Sequence, residues 1–576
     1  MYVNVLSKGG FIRKHKIITG MLLALLLLAL WIFSLRRGPY DSYTVNLMLP
    51  AGGKTAEAPG QLMVGVAKRE ITANLAEYDS WTDGNNNNKY DLLTDAGTGW
   101  QKVLFRIVNH YGKFIDLEKA KKSGDSYVDV NHNGKFDPVW VAGFGSDRPA
   151  KGVHDPQWVR AIAVKNNGVT VVMLSVDAIG IFNNDVVAIR KSINPALKVD
   201  QVVLSSTHCH EVPDTMGNWS GLPMFGYDTR YINKIKKMAK EAVEEAVSGL
   251  QAADMYCATA KVPEEGFVRD SRKPIVLNPN ICLWRFTKPN APDETIATCV
   301  NWGNHPESLG GSNPLLSSDY VNYVREGLEK GVPDPNGVKG FGGLCVFFQG
   351  MVGGLATQLG VTVPNRKGGE GFREDSFDKA ENLGYNVAIL AANTLRGPGV
   401  WKNEKPLVAV AAETVMAKMD NPIFKYGIML GLLHQGYFWG GYAKTEVDAI
   451  RIGDVMIVTV PGELYSEIAV GGVEARPGRD FDIAPVEVPP FQSEQLKFAK
   501  QAPIFGLCND EVGYIIPKSQ WDAKAPWTYG DSDQYGEENS GGPEIAPAVH
   551  KAAMEMIQRI NGTFTQVISP KSPAQK

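Results

Sequence analysis

The chain is poor in cysteine, in histidine and in net charge. Its 576 residues include six cysteines, too few for a disulfide scaffold, and none of them forms a C-x-x-C pair. The chain has 59 basic and 62 acidic residues, which give a formal charge of -3. Because such a chain has no broad positive field to neutralise phosphates, we expect no nucleic-acid partner. Apolar residues make up 44% and charged residues 21%, which excludes global disorder, a collagen-like chain and a coiled coil.

One long apolar run lies near the N-terminus. Residues 17–35 read IITGMLLALLLLALWIFSL, long enough to cross a hydrocarbon core of about 30 Å as a helix. More basic residues precede the run than follow it, so residues 1–16 are predicted to be cytoplasmic and the rest extracytoplasmic, either periplasmic or extracellular. A cleaved signal peptide is the alternative, but its apolar core is usually shorter. We therefore expect an uncleaved transmembrane signal-anchor.

The rest of the chain has the pattern of a layered α/β protein. Residues 36–60 predict a linker, residues 61–565 one folded domain, and residues 566–576 a disordered tail. Apolar runs with β-branched residues predict buried strands at 63–67, 161–164, 169–176, 201–204, 297–301, 344–348 and 455–460. Helix-like stretches lie between or after them at 231–248, 320–330, 377–395 and 547–560.

An internal repeat has the pattern D-x-N-x-N-[NG]-K-aromatic-D. Alternate oxygen side chains around a tight turn suit a calcium ion. The candidate calcium ligands are Asp83, Asn85, Asn87 and Asp91 in the first copy, and Asp129, Asn131, Asn133 and Asp137 in the second. The glutamate that ends an EF-hand loop is missing from both copies, so two turns stabilised by their own side chains are an equal alternative.

Three of the nine histidines follow predicted strands. His208 and His210 come after strand 201–204, and His305 comes after strand 297–301. In an extended chain the first two imidazoles would point the same way. Strand ends face ligand crevices in α/β sheets, and neutral imidazole is a common zinc ligand. A pair of structural histidines is the alternative, but two such strand ends favour a metal site.

The order of these and later segments resembles the neutral/alkaline (non-lysosomal) ceramidase family, zinc-dependent amidases that cleave the N-acyl bond of ceramide. The matching elements are T-H-C-H at 207–210, V-R-D-S-R at 268–272, H-P-E-S at 305–308, V-P-G-E at 460–463 and the G-L-C-N…Y segment at 506–514. The resemblance implies a mixed-sheet, layered α/β catalytic domain of ceramidase type. The transmembrane helix predicted from the apolar run would precede this domain.

The resemblance also implies a site. Its zinc ligands, for one zinc per chain, would be His208, His305, Glu463 and Tyr514. His210 and Arg269 would stabilise the reacting carbonyl. The implied activity is that of a zinc-dependent amidohydrolase, which cleaves an amide (or ester) bond of a lipid-like small-molecule substrate through a zinc-activated water.

The sequence departs from the family at its serine, which lies in an S-N-x-G-D stretch. Residues 350–354 read GMVGG here, so Gly350 stands at the serine position. Because glycine cannot attack a carbonyl, hydrolysis would depend on the activated water alone. The alternative function is a non-catalytic surface protein that keeps the fold for binding. A zinc phosphoesterase is less favoured, because such enzymes usually use two metals and only one ligand set is visible.

Overall fold

Three mixed β-sheets form the body of the protein in a computed structural model. It describes residues 16, 18–29, 43–50, 60–90, 124–134, 136–146, 148–219, 227–263, 265–333, 336–429, 433–435, 437–438 and 441–568.

The first sheet has five strands. Their spatial order is Gln201–Ser206, Val169–Val176, Trp158–Asn166, Met63–Glu70 and Gln251–Ala252. Only the first two are parallel to each other; the remaining neighbours are antiparallel. Helix Thr229–Ser248 covers the outer face, and the Asp228 side chain caps its N-terminus. Ile232, Ile235 and Ala239 of this helix are buried at helical spacing against the sheet.

The second sheet also has five strands. Their order is Leu344–Gln349, Ala291–Trp302, Asn280–Lys288, Asp254–Lys261 and Trp401–Lys402. Again only the first pair is parallel. Helices Tyr320–Glu329 and Phe377–Arg396 pack together with one face of this sheet.

The third sheet has six strands. The spatial order of five of them is Asn46–Leu49, Val408–Lys418, Tyr442–Ile452, Val455–Thr459 and Ile504–Phe505. The sixth strand, Tyr437–Phe438, pairs with Tyr442–Ile452 outside this order. The last two strands of the main order form its parallel pair. The C-terminal helix Ile545–Ile568 packs on this sheet.

The inner faces of the three sheets meet in one central core. It includes Ile162 from the first sheet, Trp284 and Phe348 from the second, and Ile450 and Phe505 from the third, all with at most 1% of their surface exposed. Strands covered on both faces carry continuous apolar runs, as Val169–Val176 does.

The smaller elements connect or cover the three sheets. Further α-helices in the described part of the chain are Asn183–Ser192, Pro422–Met429, Ser466–Val470, Phe491–Gln495 and Tyr535–Glu538. The 3-10 helices are Leu75–Glu77, Pro195–Leu197 and Lys518–Gln520. Two-stranded pairs join Ser80–Thr82 to Ser126–Val128, Gly152–Val153 to Leu315–Leu316, Gly331–Val332 to Val338–Lys339, and Glu463–Leu464 to Tyr514–Ile515.

The structure confirms the α/β class and each predicted strand and helix of the folded domain, with bounds that shift by up to eight residues. Two predicted boundaries are wrong. Residues 36–60 are not a linker throughout, because Asn46–Leu49 pairs with Val408–Lys418 and packs Leu47 and Leu49 on the central core. The tail begins later than residue 566, because the last helix reaches Ile568; residues 569–576 lie outside the described part.

The predicted membrane segment 17–35 is described only at residues 18–29, which are helical. None of the helices in the described part of the chain meets the length and hydropathy expected of a membrane span.

Candidate metal centre and its cavity

The predicted ligands lie beyond the carboxyl ends of the parallel strand pairs, one pair in each sheet. His208 and His210 follow Gln201–Ser206, and His305 follows Ala291–Trp302. Glu463 follows Val455–Thr459, and it lies opposite Tyr514 in a short parallel ladder. Parallel strands direct their carboxyl ends to the same edge, so the three sheets bring residues distant in sequence to one point.

Two imidazoles converge on one carboxylate. The Nε2 atom of His305 lies 3.1 Å from Oε2 of Glu463, and the Nε2 atom of His208 lies 3.5 Å from the same oxygen. Each Nδ1 instead faces a backbone carbonyl at 2.7 Å, Ala356 for His305 and Ile179 for His208. Because a carbonyl only accepts hydrogen bonds, each Nδ1 carries a proton, and each Nε2 is the ring atom that faces Glu463 and could bind a metal in its deprotonated form.

His208 reaches this position by a route that differs from the prediction. The strand ends at Ser206, and His208 has a φ of 61°, in the left-handed region. The two imidazoles are close, with ring centroids 5.0 Å apart, but not because of strand alternation. Non-glycine residues in this region are strained and gather at functional sites.

His210 completes a cluster of three buried histidines, with ligand atoms within 4.8 Å of one another in His208, His210 and His305. Its ring packs over Gly143, where a Cβ would lie 2.3 Å from the imidazole. Neither ring nitrogen has a hydrogen-bond partner among the residues described. Oε2 of Glu307 lies 3.4 Å from Nδ1 but without hydrogen-bond geometry. A ring nitrogen of His210 is therefore free for a ligand.

The electrostatics of the site reflect its burial and its mixed charges. Burial would raise the pKa of Glu463, but the neighbouring His208 and His305 outweigh it and lower that pKa to about 2. Burial would lower the pKa of His305, but Glu463 and Glu307 raise it to about 9. Burial lowers the pKa of His210 well below its ordinary value, and the nearby His208 adds to this. His210 is therefore neutral at pH 7.

Tyr514 also belongs to this group. Its side chain hydrogen-bonds to Glu463, and burial, with the charge of Glu463, raises the pKa of its phenol well above the ordinary value. Two imidazole nitrogens, one carboxylate and a phenol oxygen form a donor set that fits zinc, which would displace any proton from the Nε2 atoms. The convergence of both Nε2 atoms on Glu463 and the unpartnered ring nitrogens of His210 fit a cation at this point.

A cavity of about 90 Å³ opens beside the cluster. Its metal-side wall contains His208, His210, Glu463 and Tyr514, and much of the rest is apolar or aromatic. The acidic, glycine-rich segment 529–543 reaches this cavity through Tyr535 and Asn539. Pockets for whole ligands usually measure about 300–1,000 Å³, so this cavity suits one head group rather than an entire lipid.

Arg269 is not brought to the cluster. Its side chain is exposed, and its Nε donates a hydrogen bond to the Leu359 carbonyl at 2.7 Å. The prediction that it stabilises the reacting carbonyl therefore has no geometric support. The arginine beside the site is Arg148, which is 1% exposed and donates through Nη2 to the His210 carbonyl at 2.9 Å.

The structure leaves no space for a side chain at Gly350. A Cβ there would lie 2.6 Å from the Gly303 nitrogen and 2.8 Å from the Trp302 carbonyl carbon. At the position of the family's acidic residue, a Cβ on Gly354 would lie 3.2 Å from the carboxylate oxygens of Asp270. The backbone is thus adapted to glycine where the family carries its serine.

The two candidate calcium loops lie together, joined by the pairing of Ser80–Thr82 with Ser126–Val128. In the first, Asp83 accepts backbone hydrogen bonds from Asn87 and Asn88, and its Oδ2 also lies 2.7 Å from Nζ of Lys151. Asp91 lies outside the described residues.

In the second loop, Asp129 accepts from the backbone of Asn133 and Gly134, and Nδ2 of Asn131 donates to Asp137. These contacts are those of turns stabilised by their own side chains. Calcium binding by either loop stays a prediction.

Two functional candidates escaped the sequence prediction. Glu511 lines the cavity, and Arg148 supports His210 from behind. Neither stands in a local pattern with a recognisable chemical meaning. The only sequence signal for Glu511 is its position within the segment that ends at Tyr514.

Comparisons with known proteins identify the fold. A scan against protein families finds no match, and a search of curated proteins finds none either. Among solved structures, neutral ceramidase from Pseudomonas aeruginosa matches with a TM-score of 0.57 and 14% identity, over 90% of this chain and 76% of that chain. A ceramidase complexed with C2 matches with a TM-score of 0.54 and 14% identity, over 90% and 77%. The chain therefore has a ceramidase-like fold.

Proposed function

We propose that the protein is a membrane-anchored, zinc-dependent hydrolase that cleaves an amide (or ester) bond of a lipid-like substrate. The observation that carries this proposal is the convergence of His208 and His305 on Glu463, with both Nδ1 atoms held by backbone carbonyls. Tyr514 completes the donor set. A zinc ion bound there would lower the pKa of a water molecule to about 7 and so supply the attacking nucleophile.

The chain's own residues orient the reaction. Glu463 and the two imidazoles fix the reacting end of the cavity. His210, buried with free ring nitrogens, is placed to hydrogen-bond the carbonyl oxygen of the substrate, where negative charge develops. Arg148 holds the His210 backbone through its carbonyl and so acts as a positioning residue. Arg269 has no role in this proposal.

A lipid-like substrate and a membrane location fit two surfaces. Ile179, Phe182 and Leu433 give the cavity apolar walls. In the helical residues 18–29, the large apolar side chains are about half exposed or more, such as Leu22 at 62%. Such a surface is stable in a bilayer rather than in water. We propose that residues 17–35 anchor the domain on the extracytoplasmic side.

Turnover tests the proposal. The purified protein, supplied with zinc, is expected to release fatty acid from at least one member of a panel of N-acyl amides and esters. His208→Ala should abolish this turnover, because it removes a ligand. His154→Asn should retain it, because His154 lies outside the cluster and stacks on Phe377. Equal turnover by wild type and His208→Ala would contradict the proposal.

A non-catalytic binding protein is the second candidate, because the tight packing at Gly350 excludes the family serine. It predicts that lipid-like amides bind to the cavity and are recovered intact after long incubation at high protein concentration. Released fatty acid in that incubation would exclude it.

A further inference from the structure

Glu511 is a buried carboxyl with an unused oxygen in the cavity wall. The residue is 5% exposed and lines the cavity together with Glu463 and Tyr514. Its Oε1 accepts a hydrogen bond from the Gly513 backbone at 2.8 Å, whereas its Oε2 has no partner among the residues that the structure describes. Leaving a buried carboxyl oxygen unpaired is costly, so this oxygen calls for a donor from a ligand.

The surroundings hold the Glu511 side chain in place. A Cβ on Gly180 would lie 3.0 Å from Cβ and Cγ of Glu511, so only glycine allows the carboxyl stem to pack this closely. Asp510 accepts the Glu511 backbone N–H, and the Gln435 side chain donates to the Glu511 carbonyl. The carboxyl is thus held before a ligand arrives.

The chemistry of the cavity favours a cation as that donor. Its walls include the aromatic rings of Phe182, Trp219 and Tyr535. Besides the proposed zinc ligand Glu463, its lining residues include Glu511 but neither lysine nor arginine. Burial and the neighbouring Glu463 raise the pKa of the Glu511 carboxyl well above its ordinary value. A bound ammonium group would stabilise the ionised form and donate a charge-assisted hydrogen bond to it. Aromatic faces also attract ammonium groups, most strongly when these are desolvated. A neutral hydroxyl would gain only part of this interaction.

We propose that Glu511 and the aromatic rings that line the same cavity form a subsite for an ammonium group on the substrate. The substrate class is then an N-acyl compound whose amine portion carries a second, protonated amine. The link to catalysis rests on the proposed function, but the binding of the cation does not. Glu511 is a specificity-determining residue in this arrangement.

Calorimetry with two small probes tests the subsite without any turnover. Pentylammonium and 1-pentanol have the same chain and differ in the charge of the donor. Wild type should bind pentylammonium at least about tenfold more tightly than 1-pentanol, as expected for a hydrogen bond to a charged group. Glu511→Gln, which has the same shape, should remove this preference and leave the affinity for 1-pentanol within about twofold. The exposed Glu404→Gln is the matched control and should behave as wild type.

Equal affinity of the two probes for wild type, or a preference that survives in Glu511→Gln with an unchanged unfolding temperature, would overturn the subsite. Turnover of acylated 1,5-diaminopentane against acylated 5-aminopentanol separates the two proposals. Ammonium binding without hydrolysis of any amide or ester would refute the hydrolase and keep the subsite. Hydrolysis of both amides at equal kcat/KM would refute the subsite and keep the hydrolase.

Discussion

At the scale of single residues, Glu467 shows how burial changes a carboxyl group away from the histidine cluster. Burial raises its pKa from 4.5 to about 7, despite a hydrogen bond from Gln520. The folded state therefore binds the proton more tightly than the unfolded state. The stability that this proton contributes is complete below pH 4.5 and declines as the pH rises to about 7.

Glu467→Gln should therefore stabilise the protein at pH 8, by up to about 3 kcal/mol, and by much less at pH 4.5. Urea unfolding of variant and wild type at the two pH values measures this difference. The exposed Glu404→Gln should show no such pH dependence. If Glu467→Gln raised the free energy of unfolding equally at both pH values, burial would not control the pKa of this carboxyl.

At the scale of elements, the packing of strand ends determines what the site can contain. Strand Leu344–Gln349 leads into Gly350, which lies against the backbone of Trp302 and Gly303. Because backbone cannot move aside as a flexible side chain can, Gly350→Ala should destabilise the protein by about 1–3 kcal/mol. Gly350→Ser should do the same without raising turnover. Denaturant unfolding and turnover assays measure both effects.

Gly399→Ala is the control for that experiment, because a Cβ at Gly399 meets nothing within 4 Å. Its stability should stay within about 0.5 kcal/mol of wild type. A stable Gly350→Ser variant with increased turnover would contradict this description of the strand ends.

The elements also show how far sequence alone could lead. Strands such as Val169–Val176 were predictable because burial on both faces leaves a continuous apolar run. Strand Asn46–Leu49 was missed because it is short, and its pairing with Val408–Lys418 is distant in sequence. Strand alternation predicts that the rings of His208 and His210 lie on one face. His208 lies in the site, but it has a left-handed backbone and is not part of the strand. Glu511 has no local signal, because its unpaired oxygen results from contacts made only after folding.

At the scale of the whole molecule, the N-terminal region combines the proposed anchor with a strand of the third sheet. Residues 17–35 should keep the full chain in the membrane fraction, and a chain that starts at residue 43 should move to the soluble fraction with an intact domain. A chain that starts at residue 61 also loses strand Asn46–Leu49 and exposes the edge of Val408–Lys418. Its unfolding temperature should fall by several degrees relative to the chain from residue 43.

Membrane fractionation and thermal unfolding of the three chains check this account. A chain from residue 43 that stays with the membrane would show that residues 17–35 are not the anchor. Equal unfolding temperatures for the two shorter chains would show that the first strand contributes nothing to the third sheet.

In the proposed function, the three sheets assemble one zinc site from His208, His305, Glu463 and Tyr514. Elemental analysis combined with zinc X-ray absorption tests it most directly, on wild type and His208→Ala after zinc loading and dialysis. Wild type is expected to hold about one zinc per chain with nitrogen and oxygen ligands and no sulfur, and the variant is expected to lose this zinc. Wild type without zinc, or with sulfur ligands, or a variant that retains the wild-type zinc content, would contradict it.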